Sequence, residues 1–211
     1  MKVLSGLACS IFMVTAYGQK NVEITDTRNQ KESFAKVVQK DVRADVATFA
    51  MGGVDESVGK EPLQKIAFTA LSQDSITFSG DDVEATIYIG AFDPTKHKLD
   101  YDEKTLTKID RKTYYGSYGN IPESIVSKLT VIIGGDTVAI PPATYADIYN
   151  PKLSYVDKSG VERSRNAVYK SKDGHKIYLY LFTKDATGSY EVTWVIQDKK
   201  YLRRILNYGF M

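Results

Sequence analysis

IYLYLFT at 177–183 and YEVTWVIQ at 190–197 decide the fold of this chain. In the second run Tyr190, Val192, Trp194 and Ile196 fall on one side, and Glu191, Thr193 and Gln197 on the other. That period of two belongs to a strand, and it predicts a sheet with one face on a core and one facing water. In the first run Tyr178 and Tyr180 alternate with Ile177, Leu179 and Leu181, which places all five in a buried strand. Val168 to Lys170 precede these runs and Tyr201 to Leu206 follow them. Turn residues at Asp173-Gly174, around Gly188 and at Asp198 to Lys200 separate the four segments. The result is an antiparallel meander with Trp194 in its core.

Upstream, Leu129 to Ile133 and Thr137 to Ile140 flank Gly134-Gly135-Asp136, the signature of a hairpin. Ile76 and Phe78, then Val83 to Ala91, alternate in the same way around Ser79-Gly80-Asp81-Asp82. Residues Leu99 to Arg111 are polar and weakly patterned, which predicts a loop and one short strand. Pro122 to Lys128 and Ala143 to Tyr149 each read as a helical turn.

Further toward the amino terminus the period changes. Phe34, Val38, Val42, Val46 and Phe49 recur at helical spacing with charged residues between them, so a helix is expected over about 30–51. Gly52-Gly53 would end it as a C-cap. Pro62, acceptable in a first turn, followed by Leu63, Ile66, Ala67, Ala70 and Leu71, predicts a second helix over about 61–72. The fold class expected is α+β: N-terminal helices followed by a mostly antiparallel β-sheet, meander or sandwich-like, in a single domain spanning 19–211.

Residues 1–18 are set apart from that domain. Lys2 is followed by an apolar run to Ala16, and Ala16-Tyr17-Gly18 carries small residues where a signal peptidase reads them. This order predicts a signal peptide cut after Gly18, hence export to the periplasm or the extracellular space. The run is too short and too interrupted for the ~20 apolar residues of a spanning helix. Cys9 lies too near the start for lipid attachment. It is the only cysteine, so the mature chain would have neither a disulfide nor a thiol nucleophile.

Removing residues 1–18 takes away Lys2 and no acid, lowering the net charge from +2 to +1. Charge is spread evenly, so the basic patch of a nucleic-acid binder is absent and no nucleic-acid partner is expected. Arg203-Arg204, close to Lys199-Lys200, is the one local cluster, and it reads as a solvated strand edge.

Motifs for chemistry fail on spacing. Gly53 to Lys60 resembles a phosphate loop, yet five residues separate Gly53 from Gly59 where four are needed, and Glu61 stands in the magnesium ligand's place. Asp100 and Asp102 open like a calcium loop, but Thr105 and Arg111 occupy its glycine and glutamate positions. His97 and His175 share no metal-ligand spacing, and no Gly-x-Ser-x-Gly elbow exists. Ser33-x-x-Lys36 and Ser57-x-x-Lys60 lack the partner motifs of Ser-Lys enzymes. No metal and no cofactor are expected. Paired carboxylates are the one catalytic device that spacing cannot exclude.

The remaining signal is aromatic: fifteen tyrosines against one tryptophan and two histidines. No strand period accounts for Tyr114, Tyr115 and Tyr118, and Gly116 and Gly119 keep their neighbours small. They are the candidate binding residues, as a sugar-stacking or protein-binding loop. The competing reading, a loop tucked against a sheet, follows the commoner burial habit of tyrosine. The expected function is an exported non-catalytic domain that binds a protein or glycan partner in the envelope or outside the cell, an inhibitor or immunity-type protein among the possibilities. The alternatives are a small exported hydrolase using paired carboxylates and a structural or accessory subunit of an envelope complex.

Overall fold

The computed structural model of the chain describes residues 24–26, 33–34, 36–185 and 188–208. The leader reading at 1–18 lies outside them. Along the chain come β1 (Ile24–Asp26), α1 (Lys40–Ala47), a 3-10 turn (Met51–Glu56), β2 (Gln64–Ile66), β3 (Phe68–Leu71), β4 (Ser75–Gly80) and β5 (Val83–Ala91). They are followed by β6 (Leu99–Asp102), β7 (Thr105–Ile109), β8 (Ser124–Ile133), β9 (Asp136–Val138), β10 (Tyr155–Val156) and β11 (Glu162–Arg163). The chain closes with β12 (Ala167–Lys170), β13 (Lys176–Asp185), β14 (Gly188–Gln197) and β15 (Lys200–Tyr208).

Two sheets carry the fold. One is six-stranded, ordered β1-β15-β14-β13-β12-β2, and the other five-stranded, ordered β3-β4-β5-β8-β9. All pairings are antiparallel except β1 with β15. The expected meander is therefore present as β12 to β15, and the Gly134-Gly135 hairpin as β8 and β9. The main core lies between the sheets. Trp194, Val192, Leu179 and Ile177 of the first pack with Phe78, Ile76, Ile87 and Val131 of the second.

A second core covers the opposite face of the six-stranded sheet. Phe34, Val42, Val46 and Leu63 pack there on Tyr178, Tyr180, Val195 and Ile205. The face of Glu191 and Thr193 is consequently buried, at 1% and 2% exposure, and not turned to water as their polarity suggests. Alternation of polar with apolar residues marks a strand, but it does not reveal what lies over the polar side.

Four other expectations are corrected. The segment expected as a helix over 61–72 is extended. Gln64–Ile66 pairs with β12 and Phe68–Leu71 with β4, so the chain passes from one sheet to the other at Ala67. Ile66, Phe68 and Thr69 suit strands, and tertiary pairing overrides the helical spacing of the apolar residues. Residues 124–133, expected to begin as a helical turn, are strand throughout, and 99–109 form a hairpin of two strands. Arg204 is no solvated edge. It is fully buried and pairs with Asp147.

Of the helix expected over about 30–51, the described part contains Lys40–Ala47, ending at Thr48. Gly52 and Gly53 lie beyond it in the 3-10 turn, and neither has a positive φ. Gly52 is required for closeness: a Cβ there would stand 2.4 Å from Asn207 Nδ2.

Candidate functional site

On the outer face of the six-stranded sheet the covering layer stops short. Strand alternation turns Tyr180 and Phe182 of β13 outward together with Tyr169 of β12. Tyr169 is paired in register with Lys65 of β2 on one side and Tyr178 on the other, which sets a cross-strand row. Ala167 faces Tyr180 in the same register and adds no bulk above it. The segment after α1 supplies the wall. Phe49 stacks on Tyr169, centroids 4.1 Å apart and planes 9° off parallel, and meets Tyr180 edge-on at 5.5 Å.

The space left between wall and floor is a cavity of about 490 Å³ that Lys65, Arg165 and Lys184 also border. A second cavity of about 220 Å³ adjoins it, sharing Arg165, Phe182 and Lys184 and adding Lys152 and Tyr155. Together they form one groove. The Arg165 guanidinium lies over two ring faces, 5.0 Å from the Tyr155 centroid and 5.3 Å from that of Phe182. Such contacts hold the cation in place without neutralising it.

The charge in the groove has one sign. Lys65, Lys152, Arg165 and Lys184 line it, and among the described residues no Asp or Glu does. All four are exposed, and none makes an ion pair with a described residue. Elsewhere some lysines and arginines form ion pairs. Lys176 lies between Asp41 and Asp173, and Lys199 contacts Asp136.

Beside the floor, in register with Phe182 on the neighbouring strand, sits Glu191. One carboxylate oxygen accepts from the Met51 amide at 2.8 Å and the Tyr180 hydroxyl at 2.6 Å. The other accepts from the Gly52 amide at 2.7 Å and Asn207 Nδ2 at 2.7 Å. Burial, reinforced by the neighbouring carboxylate, pushes the Tyr180 phenol far above its ordinary range, so it stays a donor. Four donors occupy both oxygens, and none of the carboxylate is turned to a substrate. Glu191 is a positioning residue: it ties the Met51 end of the wall to the Tyr180 floor.

A comparable pair lies further along the face. Tyr178 donates to Asp45 of α1 at 2.6 Å, and burial raises the Asp45 carboxyl despite that bond. Among the described residues no group of three or more His, Cys, Asp or Glu is gathered where it could hold a metal. No described helix is long and apolar enough to cross a membrane.

The tyrosines singled out from sequence lie apart from the groove. Tyr114 and Tyr115 are buried at 7% and 0% exposure, and Tyr118 is half-buried. The Tyr114 hydroxyl donates to the Leu106 carbonyl at 3.0 Å and accepts from the Gly119 amide at 3.1 Å. Tyr118 donates to the Ser189 carbonyl at 3.2 Å. Gly116, at φ +96°, has no room for a side chain, since a Cβ would lie 2.0 Å from the Tyr149 carbonyl oxygen. Tyr114 and Tyr115 therefore spend their ring faces inside the protein, as the competing reading of a loop tucked against a sheet has it, and Gly116 serves close packing. Sequence reasoning missed Lys65, Lys152, Arg165, Phe182 and Lys184. They are scattered along the chain, brought together by strand pairing and, for Lys152, by side-chain hydrogen bonds with Asn166 and Thr183.

No family model, curated protein or solved structure matches the chain.

Proposed function

We propose that the chain is an exported, non-catalytic binding domain that captures an anionic partner in the groove over β12 and β13. The leader-like order of residues 1–18 supports export. One observation carries the binding reading: four cations that make no ion pair with a described residue surround an aromatic floor, and among the described residues no carboxylate lines the space. Like charges brought together repel, and an anion relieves that repulsion on binding. The groove also has the size and the mixture of apolar walls with a few polar groups that ligand sites show. The saturated Glu191 supports a binding role over carboxylate catalysis, since an acid or base must keep an oxygen free for the reacting proton.

A dextran sulfate column tests the reading. With a formal charge of only +2 for the whole chain, net charge gives little retention, so retention reports a local patch. A Lys65→Ser, Lys184→Ser variant is expected to elute at clearly lower salt than the parent. The charge-matched Lys104→Ser, Lys108→Ser variant, altered at the β6–β7 hairpin, is expected to elute with the parent. Equal elution of all three, or equal loss in both variants, overturns the groove.

A further inference from the structure

We infer that the anionic partner is an acidic sugar chain, its acid groups held by Arg165 and the surrounding lysines and a ring face laid on Tyr155. This rests on the groove being the binding site and names the chemistry that fits it.

The backbone argues against an extended peptide. Strand β12 is hydrogen-bonded to β13 on one side and β2 on the other, and β13 to β12 and β14. The floor therefore offers no free row of amides and carbonyls, which is how extended peptides are bound by sheets. Its strands offer side chains: ring faces, cationic donors and a few hydroxyls.

That inventory also selects among sugars. The hydroxyls of a neutral sugar need acceptors as well as donors, and the groove's charged side chains are all donors without an acceptor. Carboxylates and sulfates are acceptors only and suit such a lining. The C–H face of a pyranose is apolar and flat enough to lie on an aromatic ring, and Tyr155, 43% exposed, borders the smaller cavity with a ring open to solvent. Arg165 packs on ring faces, which leaves its planar N–H edge for a bidentate acid group. The two adjoining cavities fit successive ring units of a chain.

Calorimetric titration of the full chain tests this with four probes: tetragalacturonate, its neutral methyl ester, a sulfated maltotetraose and hepta-glutamate. Binding of tetragalacturonate or sulfated maltotetraose is expected, the stronger of the two identifying the acid group. The methyl ester and hepta-glutamate are expected to bind at least about tenfold more weakly, for want of charge in one and of ring faces in the other. Tyr155→Ala and Arg165→Ala, both at exposed positions, are each expected to weaken the sugar about tenfold with the melting temperature unchanged. Hepta-glutamate binding as tightly as the acidic sugars, methyl ester matching the acid, or no binding of either acidic sugar overturns the inference. A column result still specific to Lys65 and Lys184 would then leave the groove standing and remove only the sugar.

Discussion

Tyr180 on β13 donates its hydroxyl to Glu191 on β14 at 2.6 Å, and the same oxygen receives the Met51 amide at 2.8 Å. Floor and wall of the groove are thus joined through one buried atom. Tyr180 borders the cavity and its hydroxyl is held by Glu191, so the floor cannot tilt without losing a charge-assisted bond.

Glu191→Gln is expected to destabilise the protein by about 1–3 kcal/mol, because the charge is lost and one of the two oxygens that accept four donors becomes an NH2 group, for which the buried Asn207 Oδ1 is the spare acceptor at hand. Tyr180→Phe removes one donor of four and should cost about 1–2 kcal/mol. Urea unfolding measures both. A Glu191→Gln protein as stable as the parent would show that the carboxylate does not organise this face.

Alkaline pH should unfold the protein early. Burial pushes Tyr149 up to about 12, and Tyr178 and Tyr180 also lie well above the ordinary range, each with a carboxylate beside its hydroxyl. These groups stay neutral when folded and ionise in the unfolded chain near pH 10, so protons are lost on unfolding. Their contribution is whole below about pH 10 and falls as pH rises beyond it. The urea midpoint should drop steadily above that pH, with phenolate absorbance rising in the unfolding transition. A flat midpoint up to about pH 12 would contradict the burial of these phenols.

Legibility followed the range of the interactions. Strands β12 to β15 are joined by short turns, and their period of two is printed in adjacent residues. Trp194 was placed correctly, since it shares a face with Val192 and Ile196 and lies at 0% exposure. Glu191 was misplaced because the groups covering it, Met51 and Gly52, lie some 140 positions away. Residues 64–71 misled for the same reason: their partners, in β12 and β4, decide between helix and strand where spacing alone does not. The groove was illegible altogether. Lys65 and Arg165 meet only because β2 pairs with β12 across a gap of about a hundred residues.

The tyrosine cluster should behave as packing. Tyr115→Ala is expected to cost about 3–5 kcal/mol, the range for removing a fully buried aromatic ring. Tyr114→Phe should cost about 1 kcal/mol by removing the hydroxyl bound to Leu106 and Gly119. Elution of both variants from the dextran sulfate column should match the parent while they remain folded. A stable Tyr115→Ala protein that no longer binds would return the cluster to the surface role.

The connector between β9 and β10 should prove to be anchored by one ion pair. Arg204, at 0% exposure, donates from both terminal nitrogens to Asp147, at 2.5 and 3.1 Å, and from one of them to the Thr144 carbonyl at 3.2 Å. Trp194 Nε1 donates to the same carbonyl at 3.0 Å, so the connector is tied to two adjacent strands of the six-stranded sheet. A guanidinium cannot neutralise itself by losing a proton, so its burial depends on Asp147. Asp147→Ala should therefore cost about 3–5 kcal/mol, the penalty for stranding a buried charge. Arg204→Met leaves Asp147 able to reach solvent, since its side chain is 24% exposed, and should cost less. The double variant, Arg204→Met with Asp147→Ala, should recover part of the loss of Asp147→Ala alone, because no charge is left stranded. Urea unfolding of all four proteins gives the coupling directly. Additive losses would mean that the two residues act independently and that the pair does not hold the connector.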